Sequence, residues 1–563
     1  MLHKNLLLLV CILFLVACEP LWGSPGLTVE IPSAEAITGL ATLTPFLPEG
    51  IFPPATVTAL PLPGGPSQTS VPQLLWISPR VPEPLRQVAM LSGLPLTGDS
   101  LGATIQLDVS RQSDSQSAIW IYALVAPFPT TTDNASLTEI KNAWDGVAAG
   151  PFAGWPLWMD ESTLAAFSAL WGAPAAGFVR VAAAGQLVAS AWAERPAWGI
   201  VPFEQLEPRW KVLSVDGQSP VRNDFNADSY PLKMNFGLQP AAFPLPTSNR
   251  DPGKLTVLAM TGVTALVRAT ADQMESHGVL FPGEEIRNVL RLADITHISN
   301  EIPFMAGCPT PDPWTESLRF CSDPRYIALL EDVGTDVVEL TGNHELDYGT
   351  DAFLTTLDMY DQRGWHYFGG GRDLPDSLWP ALVEDHGNKL AFIGCNYAGP
   401  PSDLATTGRP GSTPCDFVKL ETEIADLRLQ GYLPIMTFQY SEYYQSHPTN
   451  EERNDFLRMA SAGAVIVSGS QAHMPASMEF SGESFVHYGL GNLFFDQMSH
   501  RMPDGSLIYD TRNVFVDRHV FYAGRYIGTE LLAYIIEDYA RPRLMSGPER
   551  LELLIKIFGA AGW

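Results

Sequence analysis

The stretch DVVELTGNHELDYG, residues 336–349, decides how the second half of the chain is read. Val337, Val338 and Leu340 make a short apolar run of the kind that forms a buried strand. Directly after it, TGNHELDYG gathers Asn343, His344, Glu345 and Asp347 ahead of TDAFLTTLDMYDQRG, which reads as a helix. A strand that leaves into a polar loop and then a helix is the unit of an open α/β sheet, in which ligands sit at the carboxyl ends of the strands.

The same unit recurs on both sides of this stretch. KLTVLAMTG (254–262), ITHISNE (295–301), KLAFIGCN (389–396), PIMTFQYSEYY (434–444) and AGAVIVSGSQAH (462–473) each read as a strand entering a loop. PGEEIRNVLRLAD (282–294), RYIALLEDVG (325–334) and LETEIADLRLQGY (420–432) read as helices. The polar loops are TGVTALVR (261–268), SNEIP (299–303), TGNHELDYG (341–349), FQYSEYY (438–444) and GSQAHMP (469–475), while YGLGNLFFD (488–496) reads as structural. The candidate site residues they supply are Glu301, Asn343, His344, Asp347, Glu442 and His473. Carboxylate, amide and imidazole groups arriving from different strands are what a hard or borderline divalent cation needs. A lone loop His is most often a surface or hydrogen-bonded residue, and the convergence of several loops weighs against that.

Upstream, residues 71–250 read as a separate α/β domain. QLLWISPRVPEPLRQVAML (73–91) reads as strand, turn and helix, and QSAIWIYALVAPF (116–128) as a strand. SLTEIKNAWDG (136–146) carries a capping box, Ser136 with Glu139 three residues on. WGIVPFEQLEPRWKVLSV (198–215) reads as strand, short helix, strand. The second domain spans 251–545, and 546–563 reads as a C-terminal tail helix.

The whole chain has 563 residues, too many for a single core. Its net charge of −28 makes nucleic acid and anionic lipid poor partners, because the long-range field repels phosphate. The amino end, MLHKNLLLLVCILFLVACEP, has a short basic start and an apolar run over 6–16, too short for an ordinary membrane span and suited to a signal peptide over 1–18. Residues 19–70, with PLPGGPSQTSVP, read as a Pro/Gly/Ser-rich tether. After removal of the signal, Cys18 remains with Cys308, Cys321, Cys395 and Cys415. Their spacing suggests the disulfides Cys308–Cys321 and Cys395–Cys415, and the absence of C-x-x-C pairs argues against zinc.

These residues carry three resemblances to known families. LVAC (15–18) resembles the lipobox of bacterial lipoproteins, which implies lipidation of Cys18 and an extracytoplasmic, lipid-anchored protein held at the cell membrane. VAPFPTTTD, SLTEIKNAWDG, WGIVPFEQL, KVLSVDG and SYPL, within 125–232, resemble phosphate-type periplasmic solute-binding proteins. Either ligand binding or a purely structural role fits that domain. GNHELDYG, AGAVIVSGSQAHMP and HYGLGNLFFD resemble motifs of the CapA family of capsule and poly-γ-glutamate synthesis proteins. That resemblance implies a four-layer α/β/β/α metallophosphatase-like fold, and a role in synthesis, export or release of an extracellular anionic polymer, or binding of a small anionic ligand.

Departures from the CapA pattern are as informative. The family's first loop reads Gly-Asp, with Asp as a metal ligand; here Gly262 is followed by Val263. Its His-Trp-Gly-x-Glu stands as Gln439-Tyr440-Ser441-Glu442, and its Gly-His-x-His keeps only His473. Too few donors remain for two metals. Three readings stay open: one divalent metal (Mn, Zn or Fe) on Glu301, His344 and His473; a metal-free acid–base site; or a pocket that binds without turnover.

Overall fold

The computed structural model describes residues 72–110, 117–147, 150–497 and 509–563. Cys18 and the expected signal and tether lie outside the described residues.

The first sheet runs in the order Leu75–Ile77, Ile105–Val109, Lys233–Gln239, Ser117–Pro127, Trp198–Pro202, Leu157–Met159, Val179–Val181. Ser117–Pro127 is its spine, buried from Trp120 onward and paired with three neighbours. The helix Leu137–Trp144 starts with the capping box expected of Ser136 and Glu139.

Two further sheets face each other. One is ordered His366–Phe368, Val337–Glu339, Ile295–Asn300, Leu255–Met260, Asn513–Tyr522, Arg525–Glu537, Arg541–Leu544. Val263–Thr264 joins Ile295–Asn300 to Asn492–Phe494 at its upper edge. The other is ordered Ala381–Asp385, Asn388–Asn396, Leu433–Gln439, Ile466–Gly469, Ser484–His487, Met478–Ser481.

Alternation along the strands assigns the layers. Leu258, Met260, Ile295 and Val337 point between the sheets, meeting Leu390, Phe392, Leu433, Ile435 and Ile466 of the facing sheet. Ala259, Ile298, Val338 and Leu340 point outward onto Met274, Leu330, Phe353 and Leu357 of flanking helices. On the far side, Ile393, Met436, Phe438 and Val467 meet Leu420, Ile424, Phe456 and Met459 of Phe417–Leu429 and Asn450–Ala462. Strands buried on both faces read as unbroken apolar runs, which is why they stood out in the sequence. The result is the helix, sheet, sheet, helix order expected.

One expectation changes. The helix read over 282–294 shrinks to Arg287–Arg291, preceded by a 3-10 turn at Phe281–Gly283. Pro282 and Gly283 break its start. At its end, Asp294 accepts the Val257 amide proton at 2.8 Å and turns the chain into the next strand. The tail helix, Gly547–Ala560, buries Leu554 and Ile557 in the inter-sheet core, where Phe128 of the first sheet also packs. The two halves thus share apolar cover. Leu255, Val257, Val520, Tyr522 and Ile527 also belong to the first sheet's core, and Arg222 donates to Glu530 at 3.1 Å across the seam.

Both expected disulfides are present, Cys308–Cys321 and Cys395–Cys415.

Candidate functional site

The polar loops meet at the carboxyl ends of the facing sheets, and they divide into two halves. In the first half a chain of hydrogen bonds links the side chains to one another. Glu301 follows the last residue of Ile295–Asn300 and is 3 % exposed. Its Oε1 accepts from Gln439 Nε2 at 3.2 Å, and the same nitrogen donates to Asn343 Oδ1 at 3.0 Å. Ser470 Oγ lies 2.9 Å from Gln439 Oε1 and 3.0 Å from Glu339 Oε1. Glu339 also accepts from Thr341 Oγ1 at 2.5 Å and stands 3.2 Å from His297 Nε2. Burial alone would raise the Glu339 carboxyl, yet hydrogen bonds from His297, Thr341 and Thr437, with the charge of His297, hold it below the usual range. Gly342 is required here: a Cβ on it would lie 2.8 Å from the Glu301 Cα.

The second half surrounds His344. Its Nδ1 lies 2.8 Å from Asp347 Oδ2, which also accepts the Phe320 amide proton at 2.7 Å. Burial pushes the imidazole pKa down, but the bond to Asp347 and the charges of Glu301, Asp347 and Asp403 outweigh it, and the net shift is upward. Asp403, 5 % exposed, is pushed up to about 6 by burial and the Asp347 charge, against the pull of His344. Glu345 is fully buried, neither of its carboxyl oxygens is hydrogen-bonded to a described residue, and burial with the charges of Glu301, Asp403 and Asp347 pushes its pKa well up. Asp403 and Glu339 were not among the sequence candidates. Glu339 had a signal, an acid inside the apolar run VVEL. Asp403, in PPSDLATTG, had none.

His473 and Glu442 make their bonds elsewhere. His473 has a left-handed backbone, φ +49°, and its Nδ1 lies 2.7 Å from Asn492 Oδ1. Glu442 bonds to Tyr444 and, at 3.2 Å, to Gln497 Nε2, and no hydrogen bond joins it to Glu301, Asn343 or His344 among the described residues.

The donor set does not fit a metal centre of the family's kind. Val263, where the pattern has Asp, is 1 % exposed and packs with Ala265, Val267, Ile302, Phe320 and Phe495. The pattern's imidazole position is the carboxamide of Gln439, already bonded to Glu301 and Asn343. Among the described residues, the three ligand atoms that come within 4.8 Å of one another belong to Asp294, Asp385 and His386, and not to Glu301, His344 and His473. Asp294 and Asp385 bond Val257 and Thr256, near the opposite ends of the strands.

Two facing sheets with helices on both outer sides and a polar site at one end define a metallophosphatase-like α/β/β/α protein. Residues 257–497 match the family described as bacterial capsule synthesis protein PGA_cap. The chain is 22% identical over 268 residues to "Capsule biosynthesis protein CapA" of Bacillus anthracis, covering 47% of this chain and 65% of that protein. It is 24% identical over 194 residues to "PGA biosynthesis protein CapA" of Bacillus subtilis (strain 168), covering 34% of this chain and 51% of that one. The chain therefore spans less than two thirds of either relative. Solved structures with similarity include a 5'-nucleotidase precursor from Thermus thermophilus, at 15% identity and TM-score 0.31, covering 54% of this chain and 59% of that one. An ABC-type phosphate transport receptor from Vibrio cholerae shows 12% identity and TM-score 0.24, covering 29% of this chain and 85% of that one. The α/β/β/α class stands on the strand order of the two facing sheets.

Proposed function

We propose that this chain is a lipid-anchored, extracytoplasmic CapA-type protein that acts on a carboxylated capsule-type polymer, of the poly-γ-glutamate kind, during its synthesis, export or release. We further propose that its strand-end site works through the His344–Asp347 pair and not through a two-metal centre. The observation that carries this is the 2.8 Å contact between His344 Nδ1 and Asp347 Oδ2, with Asp403 close enough to feel both charges.

The geometry suits acid–base cleavage of an amide. Asp347 holds the Nδ1 proton and leaves Nε2 to face a substrate. A carboxyl at about 6 suits a base near neutral pH, so Asp403 takes a proton from water as its oxygen adds to the carbonyl carbon. His344 Nε2 gives its proton to the departing nitrogen. Asn343 Oδ1 is committed to Gln439, and its Nδ2, which bonds no described residue, orients the substrate carbonyl.

The test is the length of a poly-γ-glutamate chain incubated with the protein, followed by size-exclusion chromatography. Shortening that slows roughly 10²- to 10⁴-fold in His344→Ala supports the reading. An unchanged rate in that variant sinks it. A second reading, binding without turnover, is favoured by the closed bonding of Gln439, and tight binding with no shortening would establish it.

A further inference from the structure

A cavity beside this site is built by the loop that Cys308–Cys321 closes. It has a volume of about 690 Å³ and is lined by Arg268, Glu275, Asp312, Arg319, Arg325 and Tyr348 among others. The loop is fastened to the motif loop: Arg319 donates to the Asp347 carbonyl at 2.7 Å, and the Phe320 amide donates to the Asp347 carboxylate. The ring of Phe320, which lines the cavity, has its centroid 4.8 Å from that of His344.

The three guanidinium groups differ in what neutralises them. Arg268 is bound to Asp496 at 2.6 Å, and Arg325 to Glu275 at 2.6 Å and Asp323 at 3.2 Å. Arg319 makes no ion pair with a described residue: its bonds go to a main-chain carbonyl, and it lies 4.9 Å from the centroid of Tyr348. In a chain of net charge −28, an unneutralised guanidinium in a cavity is a selective place for a carboxylate. The Asp312 carboxylate, which accepts the Trp314 amide proton at 2.9 Å, keeps acceptor capacity for an N–H on the same ligand. Carboxylate and N–H on one chain describe a carboxylated polyamide. The disulfide pre-orders the loop, which lowers the cost of arranging Arg319 on binding.

We infer that this cavity is the polymer-binding channel, with Arg319 pairing a side-chain carboxylate of a polyglutamate segment as it approaches His344. The inference rests on the reading proposed above and adds the site to it.

The test is equilibrium binding of a short poly-γ-glutamate to the full chain, with Arg319→Gln, Arg319→Lys and Arg363→Gln, alongside thermal unfolding of each. Arg363 pairs with Glu331 away from the cavity and serves as the control. The expected result is about tenfold weaker binding in Arg319→Gln, partial recovery in Arg319→Lys, no change in Arg363→Gln, and unfolding temperatures that match. Normal binding by Arg319→Gln overturns the channel and leaves the proposed function standing. No binding by the unaltered chain overturns both. Binding of polygalacturonate in place of polyglutamate overturns the polyamide assignment.

Discussion

Within one ring of strand-end loops, the two halves of the site have opposite characters. Around Gln439, Ser470 and Glu339, the side chains are joined in one hydrogen-bonded network that also takes in Glu301 Oε1 and Asn343 Oδ1. Around His344, Asp347 and Asp403, the charges are only partly satisfied, and a cavity opens alongside. The two halves come from the same repeated strand–loop unit. A handful of side chains, Val263 and Gln439 foremost, therefore separates a structural polar core from a chemically poised surface.

The steepest way to test this contrast is Glu339→Ala. The substitution leaves His297, Thr341 and Ser470 without their buried acceptor, and stability should fall by about 3–5 kcal/mol in urea unfolding. A loss near 1 kcal/mol, the scale of one ordinary hydrogen bond, would show that this half is not a closed network. Gln439→Leu removes bonds to Glu301, Asn343 and Ser470 and should cost about 1–3 kcal/mol in the same measurement. Gln439→His restores an imidazole but not the carboxylate at Val263, so elemental analysis should find no stoichiometric metal in it.

The buried side also has a pH signature. His519, next to Asp517, His487 and His297, is driven down from 6.5 to about 4 by burial, with the two other histidines adding to the shift and Asp517 opposing it. Its folded-state pKa lies below the unfolded one, so the stability it contributes is present above 6.5 and is lost as pH falls toward 4. Unfolding midpoints across that window should drop in the wild type and flatten in His519→Asn; an equal slope in both would assign the effect elsewhere. The smallest expected change is His344→Ala, whose side chain is 22% exposed: stability should stay within about 1 kcal/mol while turnover is lost. A large destabilisation would place His344 with the closed half.

The sheets were legible because doubly buried strands leave long apolar runs, as in KLTVLAM and LPIMTF. Both disulfide pairs were legible because few cysteines and short separations leave little choice. His344 and Asp347 were legible as neighbours, three residues apart on one loop. Their partners were not. Asp403 reaches His344 from a segment with no periodicity and no motif, and its role depends on how the chain returns after Asn388–Asn396. Sequence placed His473 and Glu442 with Glu301 because each closes a strand. It could not show that Asn492 and Gln497 would take their side chains instead. Likewise, substitution of Asp by Val263 announced a lost ligand, but not that an apolar cluster fills the space.

The shared core has a mechanical consequence. Val257, Val520 and Tyr522 pack in one body with Trp120, Tyr122 and Trp210 of the first sheet. A cut between the halves, near Asp251, would uncover these side chains and leave Glu530 without Arg222, so neither fragment is a ready-made part for grafting. A force applied at the amino end of the first sheet would be borne by the same interior that holds the strand-end loops, and the chain should yield as one block and not as beads on a string.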